Sequence, residues 1–187
     1  MKPSNKGGCT RIGCTSLIVL LIGGAIFAMV TFSVREIRAV APFKDSKAQY
    51  LTACSVCQQV TQDTTNPYRI GRVLVVHTDG SAVALTMANR RLKEILATSP
   101  DEVGTLICVG DAVDIKTGSY TDSSGAYRTS RDICLIDMAD GKVIFRTTLR
   151  GTSPPSVKRG SESGTGSDPI GNVLTEFILS LQVKPVE

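Results

Sequence analysis

The 23 residues from Ile12 to Val34 carry no charge and are dense in Leu, Ile and Val, a feature that constrains the chain before any other. At about 1.5 Å rise per residue, a helix of that length crosses the roughly 30 Å hydrocarbon core of a bilayer with some tilt. The expectation is a single-pass protein: a short basic tail over 1–14, a transmembrane helix over 15–34, a juxtamembrane stalk over 35–67, and a globular domain over 68–187. The competing reading is a cleaved secretory signal. It fits less well, because signal cores usually stop at 7–15 apolar residues. The nearest A-x-A-like site, Ala39-Val40-Ala41, is followed by Pro42 and is separated from the run by Arg35, Glu36 and Arg38.

Orientation follows weaker cues. Lys2, Lys6 and Arg11 precede the run and Arg35, Arg38, Lys44 and Lys47 follow it, so the positive-inside rule is nearly balanced. A domain rich in Ser and Thr, with four cysteines, is compatible with two disulfides in an oxidising compartment and points to a position outside the cytoplasm.

The net charge of +4 does not indicate a nucleic-acid partner. Three of the 21 basic residues lie in the tail without an acid beside them, and the rest are almost balanced by the 17 acids. Nucleic-acid binders concentrate Lys and Arg on one face, whereas the adjacent basic pairs here are only Arg90-Arg91 and Lys158-Arg159. The chain has no Trp, so base-stacking platforms are also missing.

Within the domain, two segments share one design. Ile70–His77, Thr78-Asp79-Gly80 and Ser81–Leu85 form the first; Ile133–Met138, Ala139-Asp140-Gly141 and Lys142–Thr147 form the second. An Asp-Gly pair between β-branched runs is a hairpin signal, because both residues tolerate positive φ. Thr105–Val109 and Ala112–Ile115 read as further strands, Ala88–Leu96 as a short helix, and Thr117–Arg128 as a polar loop or hairpin tip. The run 151–167, dominated by Gly and Ser, reads as a mobile surface loop. After it, Asp168 and Pro169 suit a helix start. Ile170, Val173, Leu174, Phe177, Ile178 and Leu181 then make one apolar stripe at helical spacing. The fold class expected is α+β, with an antiparallel sheet of four to six strands packed against this C-terminal amphipathic helix.

Cysteine supplies the one constellation with chemical content. Cys54-Ser55-Val56-Cys57 has the C-x-x-C spacing of dithiol oxidoreductases, but no buried strand delivers it as in a thioredoxin-like unit. Zinc is disfavoured, since Cys108 and Cys134 are far apart and His77 is the sole histidine. The disulfide candidates are Cys54, Cys57, Cys108 and Cys134, with a local Cys54–Cys57 bond and a cross-strand Cys108–Cys134 bond preferred. No G-x-S-x-G motif or phosphate-cradling loop occurs, and Asp79, Asp137 and Asp140 have turn explanations. No catalytic residue, metal or cofactor is assigned. Gly24 and Ala28 have a small-xxx-small spacing that leaves homo-oligomerisation open, and Cys9 and Cys14 lie where S-acylation is conceivable.

The function expected from these features is a membrane-anchored, non-enzymatic binding or assembly module. Its partners are the bilayer, through 15–34, and a protein at the membrane. The alternative is a membrane-tethered thiol-disulfide oxidoreductase using Cys54 and Cys57.

Overall fold

Val73-Leu74-Val75-Val76 shows no alternation of apolar and polar residues, and the reason is that both of its faces are covered. The computed structural model describes residues 38–59, 66–83, 90–157 and 164–185. Its elements in chain order are α1 (Lys47–Ser55), β1 (Tyr68–Ile70), β2 (Arg72–His77), β3 (Val103–Val109), β4 (Val113–Ser119), β5 (Gly125–Asp137), β6 (Val143–Arg150), β7 (Gly164–Thr165), α2 (Asn172–Ser180) and β8 (Gln182–Lys184). Single 3-10 turns lie at Ala41–Phe43, Val56–Gln59, Arg90–Leu92 and Pro100–Glu102.

The six-stranded sheet is ordered β2-β3-β5-β4, with β6 and β7 also on β5, and β1 and β8 form a separate parallel pair. The 13-residue β5 is its axis. The C-terminal part of β5 pairs with β3 and the N-terminal part with β4, while β6 and β7 lie along its other side.

The expected fold class is corrected at three points. The sheet is mixed, because β2 runs parallel to β3 and β7 parallel to β5. The described chain is mostly sheet with few short helices. No described helix is long and apolar enough to cross a membrane, and the expected transmembrane segment lies outside the described residues.

The parallel pairing arises at the first Asp-Gly turn. Gly80 adopts a φ of +79° there, and the returning chain makes one antiparallel bridge, Val76↔Ala82. By Leu96 and Ala97 it lies along the outer edge of β2, where Val73 N–H donates to the Ile95 carbonyl and Ala97 N–H to the Val73 carbonyl. The strand that follows, β3, pairs with the opposite edge of β2 in the same direction. The expected helix over Ala88–Leu96 is reduced, in its described part, to one 3-10 turn. The second Asp-Gly turn does close a hairpin, β5 to β6, with Gly141 at φ +71°.

Alternate residues of the central strands build two cores. Val73, Val75, Ile107, Val109, Ile133 and Leu135 face α2, which contributes Leu174 and Ile178. Leu74, Val76, Leu106, Cys108, Cys134 and Ile136 face the opposite way, towards Phe43, Tyr50, Cys54 and Cys57. The segment 38–59, expected to be stalk, is therefore the second cover of the sheet. The folded unit begins well before Tyr68.

At the entrance to α2 a charged clamp replaces the expected cap. The helix starts at Asn172 behind Gly171 without a side-chain cap. Asp168 instead accepts the Ile170 N–H at 2.9 Å and binds the Arg131 guanidinium of β5 at 2.7–3.0 Å. Arg131 also donates to the Gly110 carbonyl at 2.9 Å, so one side chain ties the segment before α2 to β5 and to the turn after β3. Burial pushes the Asp168 carboxyl up, but the hydrogen bonds from Arg131 and Ile170 outweigh it and hold the group below its ordinary 3.8. A carboxyl depressed in the folded state stabilises above its unfolded pKa and loses that contribution as pH falls through the folded value. Acidification through and below pH 3.8 is expected to destabilise the domain, and Asp168→Asn to flatten that part of the profile. Unfolding midpoints measured against pH check this; parallel profiles for the two proteins would reject it.

Candidate functional site

The four domain cysteines meet on the face covered by α1. Cys54 and Cys57 stand three residues apart on the end of α1 and the following turn, and Cys108 and Cys134 stand directly opposite each other on β3 and β5. The bonds run between the layers: Cys54–Cys108 and Cys57–Cys134, with Cα separations of 5.7 and 6.0 Å. This corrects the local Cys54–Cys57 and cross-strand Cys108–Cys134 pairing expected from sequence. Residues three apart on a helix have Cβ atoms about 5–6 Å apart, and directly opposed strand residues about 4.5–5.5 Å. A disulfide needs about 3.8 Å, so both in-layer pairings fit poorly. Stacking the helical pair over the strand pair satisfies both bonds at once.

That pairing also bears on the redox alternative. A C-x-x-C oxidoreductase cycles between a dithiol and a bond joining its own two cysteines. Here each sulfur is bonded to a strand, and all four cysteines are buried.

A cleft of about 240 Å³ opens beside the two disulfides, with Asp111, Asp132 and Arg146 on its wall. Strand geometry places the last two: Asp132 shares a face with Cys134, and Arg146 is the register partner of Cys134 on β6. The Arg146 guanidinium donates to the Cys57 carbonyl at 3.0 Å and lies 3.5 Å from Asp132. Asp132 in turn accepts from the Thr148 hydroxyl at 2.6 Å. These groups lock β5, β6 and the turn after α1 together. Neither Asp132 nor Arg146 was singled out from sequence. Counting alternate residues outward from Cys134 would have found Asp132, whereas Arg146 required the hairpin register.

The polar residues around the first turn have local roles. Asp79 accepts the backbone N–H of Ser81 at 2.8 Å and also its hydroxyl, and these two bonds hold its carboxyl below the ordinary range. His77 closes the same reversal through its backbone, donating to the Ser81 carbonyl and accepting from Gly80 N–H. Asp137 and Asp140 likewise accept from backbone N–H groups two residues on. Among the described residues, no three His, Cys, Asp or Glu side chains gather as a metal site.

No family model, curated protein or solved structure matches this chain. The functional reading therefore rests on the chemistry of the site itself. What the site offers is a cross-linked, charge-latched junction of two layers. A nucleophile with an adjacent base is not among its described groups.

Proposed function

We propose that the chain is a non-enzymatic binding or assembly module, held at a membrane by its apolar N-terminal run, with the folded unit outside the cytoplasm. The observation that carries this reading is the pairing of Cys54 with Cys108 and Cys57 with Cys134, which joins layers instead of forming an exchangeable local couple. Disulfides that persist belong to oxidising compartments. The uncharged stretch 12–34 supports the tether.

The test is a tryptic digest of the full chain, isolated from membranes with its thiols blocked and without reductant. Cleavage leaves Cys54 and Cys57 together in peptide 48–69, Cys108 in 94–116 and Cys134 in 132–142. The expected product is one species joining all three peptides, with no catalysed reduction of a disulfide substrate by the intact chain. A self-closed peptide 48–69 with disulfide-reductase turnover would overturn the reading in favour of the oxidoreductase. Recovery of the chain in the soluble fraction with free thiols would overturn both tether and compartment.

A further inference from the structure

Among the described residues the fourth strand, β4, is an edge strand, and its seven residues are all exposed, including Val113 at 57% and Ile115 at 45%. Which of its backbone groups face outward follows from the hydrogen bonds of β5. Gly151 N–H donates to the Thr129 carbonyl at 2.7 Å and Gly166 N–H to the Tyr127 carbonyl at 3.0 Å, so Thr129 and Tyr127 turn their backbone groups away from β4. Their register partners are Asp114 and Lys116. In an antiparallel ladder, residues opposite such positions also turn N–H and C=O outward. Asp114 and Lys116 thus present two donors and two acceptors at the free edge.

We propose that this edge pairs antiparallel with the same edge of a second copy of the chain, about a two-fold axis at Ile115. In that register Asp114 faces Lys116 of the second copy, and Lys116 faces its Asp114. Both pairs fall where the outward backbone groups exchange N–H···O bonds. Ile115 meets its own counterpart at the closer, non-hydrogen-bonded position, with Val113 and Ile115 on one face, and the register shift between Lys116 and Gly118 bounds the regular stretch. Sliding by two residues in either direction places Asp114 opposite Asp114 or Lys116 opposite Lys116, which like-charge repulsion disfavours. Slipping by one puts hydrophobic residues opposite charged ones and loses the parity of the hydrogen bonds. An exposed edge strand commonly uses a lysine to deter pairing; here one register neutralises it. The inference stands on the β4 edge alone and does not need the membrane tether or the non-enzymatic reading.

Sedimentation of the full chain in detergent, from about 1 to about 100 μM, measures self-association on the scale of weak dimers. The wild type is expected to dimerise. Lys116→Asp and Asp114→Lys, each alone, should weaken dimerisation by about tenfold, since both cross-pairs become repulsive. An equimolar mixture of the two variants should recover dimers, because every cross-pair is again of opposite sign. A monomeric wild type, single variants that associate like the wild type, or a mixture of folded variants that fails to recover would each overturn the proposal. Asp114 also accepts from the Thr129 hydroxyl at 2.7 Å. Should Asp114→Lys fail to fold, Lys116→Asp decides alone, and unchanged association overturns the proposal. Disulfide mapping is carried out on the wild-type chain, so failure here is distinguishable from failure of the proposed function.

Discussion

Replacing Cys57 and Cys134 together by serine is expected to lower the unfolding free energy by roughly 3–4 kcal/mol. The bond spans 77 residues of sequence, and the other bond spans 54. The two loops interlace, so with Cys54–Cys108 intact the second bond closes a shorter path, about 30 residues long, and that path sets the chain entropy it removes. The bond is valuable because α1 and the turn after it bury little apolar surface of their own. A nine-residue helix is marginal alone, and this one buries only Tyr50 and Cys54. Without the Cys57–Cys134 bond, the turn that carries Cys57 would lose its tie to β5 while α1 stays fastened to β3 through Cys54–Cys108. Denaturant unfolding of the full chain, with matched slopes, measures the loss. A midpoint corresponding to less than about 0.5 kcal/mol of change would show that the layers hold together without the bond. Reduction of both disulfides should cost more than the double serine variant, because nothing covalent then fastens α1 to the sheet.

What the sequence revealed of this architecture depended on how much direction each signal carries. The runs Val73–Val76 and Ile133–Ile136 are recognisably strands, but only the C-terminal helix was legible as a cover, and the second face is covered by 38–59. Such unbroken runs suit parallel strands, but the Asp-Gly turn after β2 pointed to an antiparallel neighbour instead. The Asp-Gly turns were visible because positive φ demands special residues, and Gly80 and Gly141 have it. Yet among the described residues the first turn closes a single bridge, and the hydrogen bonds of Val73 on that edge of β2 go to Ile95 and Ala97. The cover formed by 38–59 was the least legible part. Its buried residues, Phe43, Tyr50, Cys54 and Cys57, are few and set in polar surroundings, and the stripe made by Tyr50, Cys54 and Cys57 at i, i+4 and i+7 is short. Covalent bonds do there what an apolar face does for α2. For the same reason the cysteine pairing could not be read from local spacing: it follows from one layer lying across another, and the cleft beside it depends on strand register.

The apolar cover makes the complementary case. Leu174→Ala is expected to cost about 2–5 kcal/mol, because it removes a fully buried side chain from a packed core and leaves a cavity. Leu174 and Ile178 lie in the cluster formed by β2, β3 and β5, and Phe177 stacks on Phe145 of β6 with ring centroids 6.3 Å apart. α2 has nine residues and no side-chain cap on its first turn, so its own propensity contributes little and the sheet contact must carry it. A control lies two residues along the same helix. Glu176 pairs with Arg91, but both side chains are about 60% exposed, and Glu176→Ala should change stability by no more than about 1 kcal/mol. Thermal or denaturant unfolding of the two variants compares packing with charge on one element. A Leu174→Ala loss no larger than that of Glu176→Ala would mean that α2 rests on the sheet without being part of its core. The Asp168–Arg131 clamp would then be the principal tie between them.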